Sequence, residues 1–185
     1  MLLKIGHQPD HDFREPLGLL SDCHRRIEHF LSTLTAITNQ ARGKELTDTQ
    51  RVQLEGAAAY FATAGPRHTA DEEDSLFPRL RAAHDPRAAE ALELVDRLEH
   101  DHADALEHHE VVDQLVRRWL ADGNLATAEV EQLRERLDRL NSVYPAHIAV
   151  EDNEVFPAAA QILSKNDITE IAREMMARRP SRRGR

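Results

Sequence analysis

The chain contains little that could cross-link it or carry it across a membrane. It has one cysteine, Cys23, among 185 residues, and only 4% of the residues are aromatic. A single cysteine excludes an internal disulfide framework, so the fold must depend on a buried apolar core. No run approaches the roughly 20 apolar residues that span a bilayer, and residues 1–6 lack the pattern of a signal peptide. We therefore predict a cytoplasmic protein without membrane contact.

The charged residues are distributed unevenly along the chain. The formal net charge is −9, although the last eight residues contain five arginines and no acidic residue: Arg178, Arg179, Arg182, Arg183 and Arg185. The remainder is therefore more acidic than the total indicates, which argues against a nucleic-acid surface, because such a surface must neutralise phosphates. We expect the basic tail to be solvated. Nothing in the sequence identifies a protein partner.

Apolar residues recur at helical spacing in four long segments, and no segment alternates with the period of a β-strand. The predicted helices run from Pro16 to near Gly43, from Thr47 or Asp48 to Leu80 with an interruption at Gly65-Pro66, from Asp85-Pro86 to Gly123, and from Thr127 onward; a short one covers about residues 167–178. This pattern predicts an all-α fold, an up-down-up-down four-helix bundle with a short extra C-terminal helix. We divide the chain into a loosely ordered lead-in (1–15), the bundle (16–164), and a C-terminal helix with the basic tail (165–185).

An internal repeat is the most informative feature of the sequence. Residues 66–78 are P-R-H-T-A-D-E-E-D-S-L-F-P, and residues 145–157 are P-A-H-I-A-V-E-D-N-E-V-F-P. Each copy places a histidine four residues before a glutamate, His68 with Glu72 and His147 with Glu151, so both side chains lie on one helix face. Burying these groups without a metal would cost several kcal/mol. Two such pairs, on the second and fourth helices, predict a metal site where their inward faces meet.

The first and third helices should supply further histidines to this site. On the first helix, His24 lies on the apolar stripe with Leu20 and Ile27, so we predict it as a ligand. The third helix offers more choices, and His102 reproduces this arrangement best because it follows Leu98 by four residues. His109 lies two turns further along the same stripe and could be a second partner or a packed residue. His100 falls off the stripe but stays an alternative to His102.

These motifs together resemble the hemerythrin-like (HHE cation-binding) family. The resemblance covers roughly residues 16–160 and includes L-L-S-D-C-H-R-R-I around the first histidine as well as both repeat copies. It implies two non-haem iron ions bridged by carboxylate or oxo groups, no haem, and a small-molecule oxidant as partner. By position it implies four terminal imidazoles and two bridging carboxylates, which makes the predicted metal set His24, His68, Glu72, His102, His147 and Glu151.

The sequence departs from the oxygen-carrying hemerythrins at two points. Those proteins carry a second histidine four residues after the first on the third helix, where this chain has Leu106. They also place an aspartate five residues after the histidine of the fourth helix, so either Glu151 or Asp152 could bridge. Replacing an imidazole by carboxylate or water leaves more open coordination and favours the ferric state. The sequence thus favours reaction with an oxidant over reversible oxygen carriage.

We predict a cytoplasmic di-iron protein that binds or turns over dioxygen, hydrogen peroxide or nitric oxide, with a catalase-like, peroxide-decomposing activity as one form. Tyr144, three residues before His147, could hydrogen-bond a bound oxygen species or pack in the core. The alternative function is an iron, oxygen or redox sensor without turnover, in which the tail or the short helix passes the signal on. A purely structural bundle that binds no metal tightly is the third option.

Overall fold

The fold is a bundle of long helices, as the sequence predicts. A computed structural model describes residues 10–179, and within them there is no strand. The helices are α1 (Pro16–Ala41), α2 (Asp48–Asp71), α3 (Phe77–Ala82), α4 (Ala89–Asp122), α5 (Thr127–Val150), α6 (Phe156–Ile162) and α7 (Lys165–Ala177). A π-helical turn (Glu72–Leu76) joins α2 to α3, a second (Glu151–Val155) joins α5 to α6, and a 3₁₀ turn (Pro86–Ala88) precedes α4. No helix of residues 10–179 is long and apolar enough to cross a membrane.

Local sequence signals account for most of the helix ends. Thr47 accepts a hydrogen bond from the Gln50 amide and closes a capping box at the start of α2,. Gly123 ends α4 with a φ of 79°, a conformation that glycine adopts without strain,. The interruption predicted at Gly65-Pro66, as a kink from which the helix resumes, does not end α2, which runs through both residues. Pro66 cannot donate to the carbonyl of Ala62, but Ala62 is exposed, so water can satisfy that carbonyl,.

The four long helices form a ring in which α1 contacts α2 and α5, and α4 contacts the same two helices. Sequential helices are therefore neighbours, and α2 lies diagonally opposite α5, as predicted. Buried apolar side chains form two clusters, one at each end of the bundle. One cluster surrounds Leu34 and Trp119, and the other surrounds Leu20, Phe77 and Val95. In each long helix, the predicted metal ligand lies in sequence between residues of one apolar cluster and residues of the other. A polar layer therefore separates the two apolar ends of the bundle.

Helix α7 closes the end of the bundle that contains Phe77. Ile171 and Met175 on its inner face are fully buried in that apolar cluster. The expectation of a solvated tail is wrong for its first two residues: Arg178 donates to Asp71 at 3.1 Å, and Arg179 donates to the other oxygen of Asp71 at 2.7 Å. These arginines are drawn in because Asp71 is buried and its charge needs partners,. Arg182, Arg183 and Arg185 lie outside the described residues.

The described part of the lead-in, residues 10–15, contacts α1. The backbone amide of His11 donates to Asp22 Oδ2 at 2.8 Å, and the His11 ring lies 3.2 Å from Asp22 Oδ1. Arg25 pairs with the same buried carboxylate. These contacts satisfy Asp22, which would otherwise be a buried charge without partners. Residues 1–9 of the predicted lead-in lie outside the described residues.

Candidate metal centre

Both copies of the repeat form the same irregular structure. In each, the histidine lies in the last turn of an α-helix and the glutamate begins a π-helical turn, closed by the bonds Phe77 N–H to Glu72 O and Phe156 N–H to Glu151 O,. Pro78 and Pro157 follow directly; proline has no amide hydrogen and crowds the carbonyl four residues before it. The wider turn places each proline in the first turn of the next helix, where no donor is needed,. The shared Phe-Pro pair thus explains the shared turn.

The structure brings all six predicted ligands together. Glu72 and Glu151 are fully buried, and the imidazoles are buried or nearly so. His68 Nε2 lies 3.3 Å from Glu72 Oε1, and His147 Nε2 lies 3.3 Å from Glu151 Oε2. Each His-x-x-x-Glu motif therefore presents a nitrogen and an oxygen to the same space. The residues that meet here are His24, His68, Glu72, His102, His147 and Glu151.

The imidazoles form two pairs, and each carboxylate faces both of them. The rings of His24 and His68 are 4.9 Å apart, and those of His102 and His147 are 4.7 Å apart. Glu151 Oε2 lies 3.0 Å from His24 Nε2 in one pair and 3.3 Å from His147 Nε2 in the other. The position of Glu72 is similar, because Oε1 lies 3.8 Å from His24 Nε2 and Oε2 lies 3.6 Å from His102 Nε2. This is the arrangement that two bridging carboxylates require.

The ligand atoms of these residues suit metal coordination better than hydrogen bonding to one another. Within the described residues, His24 Nε2 and all four carboxylate oxygens of Glu72 and Glu151 are buried without a hydrogen-bond partner. Two ligand atoms on one ion, each about 2.1 Å from it, lie roughly 3.0 to 3.4 Å apart at octahedral or tetrahedral angles. The contacts of 3.0 and 3.3 Å match that separation. The atoms are thus spaced for coordination while their hydrogen-bonding capacity stays unused.

The electrostatics of the site favour added positive charge. Burial and the neighbouring Glu151 raise the pKa of Glu72 well above its usual value. Burial alone would lower the pKa of His24, but Asp152 at its Nδ1 and the negative charges of Glu151 and Glu72 near its Nε2 raise it to about 12. The carboxylates therefore retain a cation in the centre of the site. A divalent or trivalent metal ion meets that demand and leaves the imidazoles neutral for coordination.

Carboxylates outside the cluster hold three of the four imidazoles. Asp152 lies 3.0 Å from His24 Nδ1, Glu73 lies 2.8 Å from His102 Nδ1, and Asp101 lies 3.4 Å from His147 Nδ1. Each carboxylate accepts the Nδ1–H and leaves Nε2 free to face the site. The fourth ring differs, because Nδ1 of the buried His68 has no hydrogen-bond partner in the described part of the chain.

This outer layer bears on the alternatives that the sequence left open. Asp152 is partly exposed and accepts from Ser21 and His24, whereas Glu151 is the carboxylate inside the cluster. Sequence reasoning missed the roles of Glu73 and Asp101. The repeat did contain a signal for the first, because Glu73 and Asp152 are its matching acidic positions. Nothing in the sequence distinguishes Asp101 from the other acids of α4.

The two alternative histidines of α4 lie apart from the six. His100 is 77% exposed in its side chain and stands near Asp104 on the surface. His109 is buried one layer away, where its Nε2 lies 2.9 Å from the hydroxyl of Tyr144. Burial and the neighbouring His108 lower the pKa of His109 to about 4, so the ring is neutral and accepts from Tyr144. Tyr144 therefore packs in the core and also makes a hydrogen bond.

A cavity of about 460 Å³ adjoins the cluster and is lined by all four of its imidazoles. Leu106, which replaces the histidine of the oxygen carriers, lies on its wall and is 55% exposed. The cavity thus gives a small molecule access to the cluster.

Cys23, beside His24, is buried, and burial raises the pKa of its thiol, so the neutral form persists,.

Comparison with known proteins gives one result, which covers all four long helices. The model of a family described as the hemerythrin HHE cation binding domain matches residues 15–159. A search of curated proteins found no significant match. The matched range contains both repeat copies, the six clustered residues and the cavity.

Proposed function

The chain belongs to the hemerythrin family of HHE cation-binding domains, and on that premise we propose that it is a non-haem di-iron protein that reacts with a small oxidant. We propose a cytoplasmic location and hydrogen peroxide as the substrate to test first, with dioxygen and nitric oxide as the other candidates. One observation carries the proposal: two imidazole pairs share two buried carboxylates that have no other partners among residues 10–179. A di-iron centre held there would exchange electrons with an oxidant in pairs and offer it open coordination positions.

The six residues would have two different roles in holding the ions. His24 and His68 would hold one ion, His102 and His147 the other, while Glu72 and Glu151 would bridge both. Six protein side chains leave coordination positions free on two ions, and the adjoining cavity leads to that side of the cluster,. The apolar clusters above and below keep water away from the two ends of the layer, which strengthens the electrostatic interactions inside it.

The first experiment measures metal content and peroxide consumption together. We expect about two iron ions per chain, near-ultraviolet absorption of a bridged ferric pair, and catalytic loss of hydrogen peroxide with release of oxygen. The double variant His68→Ala with His147→Ala should lose both iron and turnover. Iron content near two per chain in that variant would refute the proposed ligand set.

Helix α4 offers a matched pair of variants for the same test. His102→Ala removes an imidazole that faces Glu72 Oε2 at 3.6 Å, whereas His100→Ala removes an exposed one two residues away. We expect the first variant to lose iron and the second to keep it. The opposite result would mean that the assignment on α4 is shifted by two residues.

A sensor function is the second candidate, and one set of contacts favours it. Arg178 and Arg179 pair with Asp71, which precedes the proposed ligand Glu72, so the C-terminal end of α7 is linked to the cluster. Changes in occupancy or oxidation state could therefore alter the contacts of that end. Peroxide separates the two functions: continued turnover supports the enzyme, and a single stoichiometric oxidation supports the sensor.

A further inference from the structure

The cavity beside the cluster is larger than a small oxidant needs. Its volume is about 460 Å³, whereas a water molecule occupies roughly 30 Å³ and a cavity of about 150 Å³ is enough to bind benzene. Pockets of roughly 300 to 1,000 Å³ with mostly apolar walls are typical sites for organic ligands. The imidazoles form one end of this cavity, and Ile27, Phe61 and Ile148 contribute apolar walls.

Small side chains on α2 and α4 create the space. Gly65 on α2 and Ala103 on α4 line the cavity from neighbouring helices, and larger residues there would fill it. A Cβ atom added at Gly65 would meet only Phe61 Cδ1, at 3.8 Å, so the gap is open at this point. Ala103 and Leu106 are exposed, which places the mouth of the cavity on the α4 side. An organic molecule could therefore enter without unfolding either helix.

One wall is aromatic and carries the hydroxyl group of Tyr144. The rings of Phe61 and His109 are 4.6 Å apart, and those of His109 and Tyr144 are 5.8 Å apart. When the Tyr144 hydroxyl donates to His109 Nε2 at 2.9 Å, its oxygen keeps a lone pair that can accept from a ligand. An aromatic ligand would add edge or offset contacts to such a wall.

The charged groups of the wall are already paired. Glu73 accepts from His102 at 2.8 Å, and Glu99 accepts from Arg81 at 2.8 Å. Among the described residues, no lysine or arginine lines the cavity. Outside the metal cluster, an anionic ligand would therefore find no counter-charge. A neutral molecule suits the wall best.

From these observations we propose that the cavity binds a neutral aromatic molecule of one or two rings that bears a hydroxyl group, a small phenol, whose hydroxyl donates to Tyr144. A phenol in this position lies against the imidazoles of the cluster and occupies the place of an organic co-substrate. As a statement about the substrate of the same site, the inference rests on the proposed function, so binding and turnover are measured separately.

The test measures binding of 4-ethylphenol to the purified, iron-loaded protein by calorimetry and by ligand-observed NMR. Two probes of similar size serve as controls: ethylbenzene lacks the hydroxyl, and 4-ethylcyclohexanol lacks the aromatic ring. We expect the phenol to bind about threefold to tenfold more tightly than either control, the factor that one net hydrogen bond or one aromatic contact provides. No saturable binding of the phenol, or equal binding of all three probes, would overturn the proposal.

Variants then locate the bound molecule. Gly65→Leu should abolish binding by filling the cavity, while Ala62→Leu, on an exposed position of the same helix outside the lining, should leave it unchanged. Tyr144→Phe should reduce the affinity for 4-ethylphenol about threefold to tenfold and leave that for ethylbenzene unaltered. The Tyr144→Phe variant provides an independent test if Gly65→Leu does not fold.

The two proposals fail in different ways. If neither Gly65→Leu nor Tyr144→Phe changes the affinity for the phenol, the molecule binds elsewhere. That result would overturn the inference, whatever the peroxide assay gives. Absent peroxide turnover together with specific phenol binding would overturn the proposed oxidant chemistry and retain the phenol site.

Discussion

At the scale of single residues, the outer carboxylates set the chemistry of the proposed ligands. Asp152, Glu73 and Asp101 each approach the Nδ1 atom of a different imidazole. Such partners fix the tautomer and the ring orientation and make the imidazole a better donor to metal. Nδ1 of His68 has no such partner among the residues that the structure describes, so its ring is the least constrained of the four.

Asp152→Asn should weaken iron binding about 10-fold to 100-fold, the usual effect of losing an outer carboxylate. The amide keeps the size of the side chain but lacks the negative charge that makes the His24 ring a stronger donor to metal. Competition with a chelator of known affinity measures the change. Glu154→Gln, at an exposed position of the same π-turn, is the matched control. Equal affinities of both variants would mean that Asp152 does not act through His24.

His109 should make the unfolding free energy depend on pH. Its pKa is lowered to about 4 by burial, while in the unfolded chain it stays near 6.5. Between these values the unfolded chain binds a proton that the folded chain does not, so this histidine stabilises the fold less as pH falls from about 6.5 towards 4. His109→Gln should therefore be less destabilising at pH 5 than at pH 7 in urea titrations.

The control for this pH effect is His29→Gln, because His29 is exposed on α1. Its unfolding free energy should follow that of the unaltered protein across the range. A His109→Gln curve parallel to both would show that His109 titrates alike in the folded and unfolded states.

The sequence allowed the six clustered residues to be proposed because helical spacing determines which side chains share a face. His68 and Glu72, four residues apart, could be paired from the sequence alone. The contact between Glu73 and His102 joins different helices and depends on how those helices are rotated against each other. No spacing rule within one helix contains that information, so the outer layer had to come from the structure.

At the scale of elements, α7 is joined to the π-turn by buried charge. Asp71 is fully buried and pairs with Arg178 and Arg179 from the end of α7. Arg79, just beyond the turn, also holds Glu174 of α7 in a two-point contact at 2.8 and 3.0 Å. The C-terminal segment therefore braces the turn that carries Glu72.

Replacing both Arg178 and Arg179 by alanine should cost about 3 kcal/mol of unfolding free energy, because it leaves the charge of Asp71 buried without partners. Urea titration measures the loss, and adding Asp71→Asn should recover part of it. Arg173→Ala, which removes an exposed pair with Glu170, is the control and should change stability little,. A loss no greater than that of the control would contradict the bracing role.

The end of α7 also marks a limit of sequence interpretation. Arginines at a chain terminus normally lie in solvent, and nothing near Arg178 identifies a buried acid as its partner. The partner Asp71 is more than 100 residues away and is one of many acids on the chain. Helix positions could be predicted from local signals, but this long-range pairing could not.

At the scale of the whole molecule, a polar layer divides the apolar core into two parts. All four long helices contribute to the layer, so any ion bound there would connect all of them. Without an ion, the fully buried carboxyl groups of Glu72 and Glu151 have only the imidazoles as partners among the described residues, and burying such groups opposes folding,. The bundle arrangement was predictable from amphipathic periodicity, whereas the cavity depends on the width of the gap between α2 and α4.

Removal of metal should lower the melting temperature markedly. An ion at 1,000 times its dissociation constant stabilises the folded state by about 4 kcal/mol, which corresponds to roughly 8 to 16 °C for a chain of this length. Calorimetry with and without a chelator measures the shift. The His68→Ala with His147→Ala variant should melt at the same temperature in both conditions. Equal melting of the unaltered protein in both would show that no ion stabilises the fold.

In the two π-helical turns, the length of the segment matters for the structure as well as the identity of its residues. Each turn holds one residue more than an α-helical turn, so loss of a single codon would close it and rotate the flanking segments by about 100° relative to each other. Deleting Asp74 should therefore abolish metal binding, whereas Asp74→Ala, at an exposed position, should not; metal analysis of both variants decides this. The same extra residue occurs at matching places in both halves, as expected if a shorter gene that already encoded it had been duplicated.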